Sequence, residues 1–459
     1  MKKIWLSSIL VVLGCWANVR GMKEINDLKD LVKKGQEYTK ATEAAVKGIK
    51  STKQKTREAA LDLFKELVKK GQAYAQATVA ATNSKSLNLF KELIKKDQAY
   101  AQATVVATNN NSLDLFKELV NKGQAYSEAT KAAVKYCVDY DKHTRSAAFW
   151  LLRDLVNKGQ AYTQATKAAV KASKDEKTLR EAFDLFAELV KQEKTYKEAT
   201  DLAIAGMEYF DELDELPEET EYDSDSEEAK RSSVLHLFKE LVAKGLVHTQ
   251  ATEIAVKVCK HKNQSTLHSE ALGLFTELVK KGVAYNEAIE AVKELHQNVD
   301  APILGELLKE LVKKGLAYTL AVDTAVKNSK EKNVGCRYAA LGIYTELVKQ
   351  GQAYTQATDA AVEDSKHTNE YIRRASLDLF KELVKKNQAR IQAAVAAAAG
   401  ITDPVKNVQT SAGDLKKILE QKIESTTETP ETKSTTHIIQ SLITLQAKLN
   451  ELIKVLNKK

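Results

Sequence analysis

Paired lysines are the first residues whose type and spacing could do chemistry. They stand at Lys33/Lys34, Lys69/Lys70, Lys95/Lys96, Lys280/Lys281, Lys313/Lys314 and Lys385/Lys386, in a chain with a formal net charge of +8. Brought to one edge by folding, they would attract nucleic acid or another polyanion. A local use competes with that reading. Glu66 stands four residues before Lys70, and an acid-to-lysine spacing of four recurs in nine copies of the same phrase. That order favours an ion pair along a helix, and lysines in a last turn complement the helix dipole. On this reading the lysines are helix grammar, and no nucleic-acid partner is expected.

Other candidates are weaker. Residues 211–228, "DELDELPEETEYDSDSEE", hold 11 acidic residues and no basic one, so the rest of the chain nets +19. Such a run is expected to be a disordered, solvated loop. Asp223, Asp225, Glu227 and Glu228 suggest calcium, but the glycine of an EF-hand loop is missing. Cys259, His261 and His268 have loose metal spacing with no fourth ligand nearby, and read as scattered residues. Cys137, Cys259 and Cys336 are an odd, sparse set, expected to act as small buried hydrophobes. No HExxH, phosphate-binding glycine loop or G-x-S-x-G occurs, so no catalytic, cofactor-binding or metal-ligating set is assigned.

The elements that carry these residues come from repetition. "LFKELVKKGQAY" (Leu63 to Tyr74) has close relatives centred on Gly35, Gly71, Asp97, Gly123, Gly159, Glu193, Gly245, Gly282, Gly315, Gly351 and Asn387. Most steps between these anchors are 33–37 residues, two are 26 and one is 52. Periods of about 20 to 50 residues mark solenoids or arrays. Before the anchor, Leu63, Phe64, Leu67 and Val68 form the stripe of an amphipathic helix. The anchor supplies a left-handed residue that ends it, and Glu193 is the poor fit, with a distorted turn expected. A second helix follows, with Tyr three residues after nine anchors and Ala six after all eleven. The tyrosines could stack a ligand, but are expected to be core aromatics with the hydroxyl near the surface. The 26-residue steps, through "TNSKS" and "TNNNS", should shorten helices.

Four longer copies carry Arg fourteen residues before the anchor: Arg57 in "KTREAALDLF", Arg145 in "HTRSAAFWLL", Arg337 in "GCRYAALGIY" and Arg373 in "IRRASLDLF". With the alanine pairs and spaced leucines, residues 22–400 resemble HEAT and armadillo-like repeats. The Asp and Pro usual in HEAT turns are mostly missing. Tetratricopeptide repeats are the other resemblance, through "KGQAYTQATKAA". Both imply an all-α fold, a right-handed superhelix of about eleven helix hairpins, and a surface for protein partners. Some HEAT-like proteins act as lyases on bound pigments, and no residue set here supports that. Specificity is expected where copies differ: the linkers and positions such as Gln72/Ala73, Leu246/Val247 and Val283/Ala284.

Both termini depart from the repeat. Residues 1–17 read as a secretory signal: Lys2 and Lys3, an apolar stretch too short to span a bilayer, then small residues. Cleavage after Ala17 competes with lipidation at Cys15 in "VLGC", and only lipidation would bring a membrane partner. An exported protein is expected by either route. Residues 401–459 are expected to hold one helix, the linker "STTETPETKSTT", and a coiled-coil-like helix over 437–457. Ile438, Leu442, Leu445, Leu449, Leu452 and Leu456 form its seam, which would dock within the chain or pair with a second copy. Deleting residues 436–459 is expected to abolish any self-association seen by light scattering. Unchanged oligomer mass would remove that role.

Overall fold

The structure is a computed structural model that describes residues 22–139, 141–214, 224–260, 265–295, 301–424 and 441. The expected signal at 1–17, the expected seam at 437–457 apart from residue 441, and the centre of the acidic run lie outside the described residues. Those residues form helices and no strand, in two compact units meeting at Leu202/Ala203.

In the first unit the helices are α1 (residues 22–33), α2 (Tyr38–Ile49), α3 (Gln54–Lys69), α4 (Tyr74–Ser84), α5 (Leu87–Lys95), α6 (Tyr100–Asn109), α7 (Leu113–Asn121), α8 (Tyr126–Tyr136), α9 (Lys142–Asn157), α10 (Tyr162–Ala172) and α11 (Leu179–Lys191). α12 (Tyr196–Ala205) runs across the boundary. The second unit holds α13 (Ser224–Ala243), α14 (His248–Lys260), α15 (Ser265–Lys280), α16 (Tyr285–Leu295), α17 (Ala301–Lys313), α18 (Tyr318–Ser329), α19 (Val334–Lys349), α20 (Tyr354–Asp364), α21 (Glu370–Lys385), α22 (Arg390–Ile401) and α23 (Lys406–Glu424). Odd helices from α1 to α21 precede an anchor and are called A; even helices follow one and are called B. Within each unit A packs beside the next A, and the preceding B packs against it.

Periodicity explains the core. Leu63, Phe64, Leu67 and Val68 are fully buried, as are Ala77 and Ala81 on α4. The alanine six residues after the anchor is sealed from solvent in all eleven copies, from Ala41 to Ala393. Each buried Phe or Leu contributes about 1.5–3 kcal/mol. The alanines contribute by being small, letting B helices approach the A layer closely.

The turns are built alike. After α3, the Gly71 N–H donates to the Val68 carbonyl and the Gln72 N–H to that of Leu67, both at 2.9 Å. This Schellman pairing satisfies carbonyls that a helix end leaves open, and it recurs at every anchor at 2.8–3.0 Å. Glu193, where distortion was expected, makes the same two bonds at 2.9 Å with φ 60°. The flanking helices and two backbone bonds impose the left-handed conformation there whatever the side chain. Asp97 and Asn387, also without glycine's freedom, make the same pairing and in addition accept from the next helix: from Tyr100 Oη at 2.7 Å and from Arg390 Nη2 at 2.8 Å.

A second left-handed residue follows two positions after each anchor, and it is never glycine: Glu37, Ala73, Thr195, Val247 and Ala284 are examples, with φ of 51–58°. This conformation costs an L-residue about 1–2 kcal/mol and is least suited to a β-branched one.

Three further differences stand out. The 26-residue steps shorten the A helices, α5 and α7 having nine residues against 16 in α3, while α4 and α6 keep 11 and 10. The acidic run is helical at both ends: Gly206–Asp214 is a 3-10 helix, and α13 starts at Ser224. Strong helix formers from Glu227 to Arg231 extend α13 back into the run.

The array also passes the boundary expected at 400. A Cβ on Gly48 would sit 2.7 Å from the Ala60 Cβ, and one on Gly400 would sit 2.7 Å from that of Ala412. Gly48 and Gly400 hold the same repeat position, so α23 seats on α22 as α3 seats on α2. α23 is therefore a twelfth A helix. Its Leu415 and Leu419 are buried as in other A helices. Lys416 and Glu420 replace the buried Phe and Val and pair at 3.8 Å.

The variant Val247→Gly is expected to raise stability by about 1 kcal/mol, strain relief exceeding glycine's added chain entropy. Gly71→Ala is expected to lower it by a similar amount. Denaturant midpoints of the two variants would check both signs.

Candidate functional site

One lysine of each pair on the lysine edge is compensated within its own helix. The lysine two before the anchor, rather than the one directly before it, pairs with the acid five before it. Lys69–Glu66 lies at 2.9 Å, Lys280–Glu277 at 2.6 Å and Lys385–Glu382 at 2.6 Å, and eight copies share this contact. The acid is mostly buried, as Glu66 is, with its side chain 16% exposed. From there it reaches the lysine one turn on at a spacing of three. The lysine next to the anchor turns elsewhere: Lys122 Nζ donates to the Lys95 carbonyl at 3.2 Å and to Asp97 at 2.8 Å, bracing the preceding helix end. A second series links neighbouring A helices, at Lys29–Asp62, Lys91–Asp114, Arg153–Asp184 and Lys381–Asp414. Nothing in the sequence pattern pointed to it, because the partners lie in different copies.

The arginines are clamps. Arg57 donates to the Ser51 and Thr52 carbonyls at 2.9 and 2.8 Å. Arg337 holds Asp364 at 2.7 Å and Glu363 at 2.6 Å, joining the two ends of one hairpin. Burial pushes the Asp364 carboxyl up, against the pull of Arg337. Arg373 forks onto Asp403 at 2.7 and 3.0 Å and donates to the His367 and Thr368 carbonyls. Burial works to raise Asp403, but the Arg373 and Val405 donors outweigh it and hold the carboxyl below its usual value.

The metal candidate is not assembled among the described residues. Cys259 is buried, and burial with the nearby Glu294 charge pushes its thiol up to about 12, so it stays protonated. His268 is buried, and His261 lies outside the described residues. Cys137 is buried, its thiol raised by burial, and Cys336 is half-buried. The tyrosines after the anchors are half-buried, and a Cβ on the Gly71 anchor would lie 3.6 Å from the Tyr74 hydroxyl. Each ring thus folds back over its own turn. Gln72/Ala73, Leu246/Val247 and Val283/Ala284 hold backbone roles, one donating the Schellman bond and the other taking the left-handed conformation.

Variation that reaches solvent lies on the B helices, five, eight and twelve residues after the anchor. In the first unit, α4, α6, α8 and α10 are successive neighbours. Their outer face presents Val79 (60% exposed) and Val105 (59%), then exposed Lys131, Lys135, Lys167 and Lys171. In the second unit the corresponding positions on α14, α16, α18 and α20 present exposed Glu253, Glu287, Glu290, Glu294, Asp323, Asp359 and Glu363 in excess over Lys257 and Lys327. One scaffold thus carries B faces of opposite sign, each described within its own unit.

No model of a known protein family matches the chain, and no curated protein sequence does. Solved structures do. A crystal structure of importin beta from an ammonium sulfate condition is similar at a TM-score of 0.57 with 9% identity, over 88% of this chain and 57% of that one. The fold is a HEAT-like α-solenoid. A complex of Kap95 with Nup1 is similar at 0.51 and 13%, over 89% of this chain and 58% of that one. Yeast importin-beta (Kap95p) is similar at 0.50 and 12%, over 88% and 57%. The chain spans less than three-fifths of these proteins' length. Identities this low carry the architecture alone.

If the arginines are structural clamps, Arg373→Met should lower stability by about 2 kcal/mol at neutral pH. Asp403 titrates low when folded, so its share of that loss is present above about pH 4 and fades as pH falls through the folded value. The share from the two carbonyls should persist. Unfolding curves of both proteins at neutral and acid pH would test this.

Proposed function

We propose that the chain is a protein-binding scaffold that acts without catalysis and is exported through its N-terminal segment. The contrast between repeat core and B surface supports this most. Buried positions take the same residue in copy after copy, while the exposed B positions run from valine to lysine to glutamate. A surface that changes sign on an unchanging frame suits recognition of extended partners. The Kap95 structure with Nup1 offers a parallel in which the same architecture holds a protein ligand. A polyanion-binding role is disfavoured by the lysine edge, where one lysine of each pair already meets an acidic residue of its own helix.

A photocrosslinking amino acid at Lys167 or Asp323, on B helices, is expected to capture a protein partner in the native compartment. The same group at Lys117, on the A side, is expected not to. Capture from Lys117 alone, or from no position, would end this reading.

A further inference from the structure

We propose that the B face of α4, α6, α8 and α10 seats an acidic protein segment carrying aliphatic side chains, a partner class that rests on the scaffold reading above. Three observations carry this.

The first is uncompensated charge. Lys131, Lys167 and Lys171 are exposed and make no ion pair among the described residues. Lys135 lies over the Tyr136 ring at 4.8 Å and donates to its hydroxyl at 3.1 Å, contacts that leave the charge unneutralised. Glu128 is the one acidic residue within these four helices. On the A edge, by contrast, one lysine of each pair meets an acidic residue of its own helix.

The second is interleaved aliphatic surface. Val79 and Val105 occupy the same repeat position as Lys131 and Lys167, eight after the anchor, on successive neighbouring helices. Val134 (39% exposed) and Val138 (51%) lie among the lysines at the end of α8. A partner that matched the charge alone would leave this apolar surface wet. One with aliphatic groups among its carboxylates would cover it, at about 25 cal/mol per Å² of surface removed from water. A cavity of about 530 Å3 opens beside Lys171, lined by Val138, Arg145 and Lys177 as well as Asp139 and Asp175, and gives such a side chain depth.

The third is what argues against nucleic acid. Phosphates would take the lysines, but bases need aromatic faces to stack on. Of the aromatics near these lysines, Tyr136 is already covered by Lys135 and Tyr162 by Lys194, at 4.8 and 5.3 Å. The largely exposed apolar side chains of this face are valines, and its tyrosine rings are half-buried.

The test uses the full chain and a fluorescein-labelled peptide of repeating Glu-Glu-Leu, with poly-Glu and a single-stranded oligonucleotide as comparison probes, read by anisotropy at low and moderate salt. The Glu-Glu-Leu peptide is expected to bind more tightly than either comparison probe. Lys131→Gln with Lys167→Gln should weaken it about tenfold. Lys69→Gln with Lys95→Gln, at the A edge, should leave it unchanged. Val79→Ser with Val105→Ser should abolish the preference for Glu-Glu-Leu over poly-Glu, with circular dichroism confirming the fold. Equal or tighter binding of the oligonucleotide would overturn the proposal. So would equal loss from the A-edge variant, or no peptide binding at low salt. Protein crosslinks from Lys167 together with such a failure would leave the scaffold standing and remove this partner class.

Discussion

Everything in this fold depends on a turn that holds two left-handed residues with one residue between them. The first, at the anchor, lets the A helix end in a Schellman pairing. The second aims the B helix back along it. Because the bonds are backbone to backbone, Glu193 and Asp97 can stand where glycine is usual. The second position carries alanine, or even valine, at a conformation that disfavours both. The strain persists because both helices are locked by burial on either side of it. The Leu67 stripe and the Ala77 contact over-determine the hairpin, and a local cost of about 1–2 kcal/mol does not compete with them.

That asymmetry explains what was legible in the sequence. Phe64, Leu67 and Ala77 announce themselves by period, since burial demands the same residue in each copy. Gly71 announces a helix end, since its conformation is one that few other residues take without cost. Ala73 announces nothing, because alanine is what a helix would also choose, and its left-handed geometry is imposed by tertiary packing. α23 was hidden for the opposite reason. Its Lys416 and Glu420 erase half of the apolar stripe, so it reads as a tail helix until Gly400 is seen against Ala412. The lysine edge misled by one position. Lys70 has the favourable spacing from Glu66 on an isolated helix, but Lys69 is the residue that Glu66 meets once the glutamate is mostly buried between repeats.

The candidate surface was the least legible part, and the cause is geometric. Lys131, Lys135, Lys167 and Lys171 are ordinary in a chain with 70 lysines and arginines. They become a patch when α8 and α10 are neighbours and their outer faces coincide. Val79 and Val105, 26 residues apart, likewise look like core residues by type. Their exposure follows from helix phase: they sit two residues after a sealed alanine, which turns them away from the A layer. Sequence pattern locates faces within a helix well. Which faces adjoin across helices is a property of the stack.

The same stack limits where recognition can evolve. A change at Leu67 or Ala77 disturbs the packing that aligns every neighbour, and a change at Gln72 or Ala73 falls on residues already committed to backbone geometry. The arginine clamps tie hairpin ends together and are no freer. What remains is the outer B surface, where substitution alters no buried contact. Charge there is free to differ between the two units, and it does: lysines in excess around Lys167, carboxylates in excess along α16 and α20. A frame that enforces identity inside and permits divergence outside will concentrate its specificity in solvent-facing side chains that, read one at a time, look unremarkable.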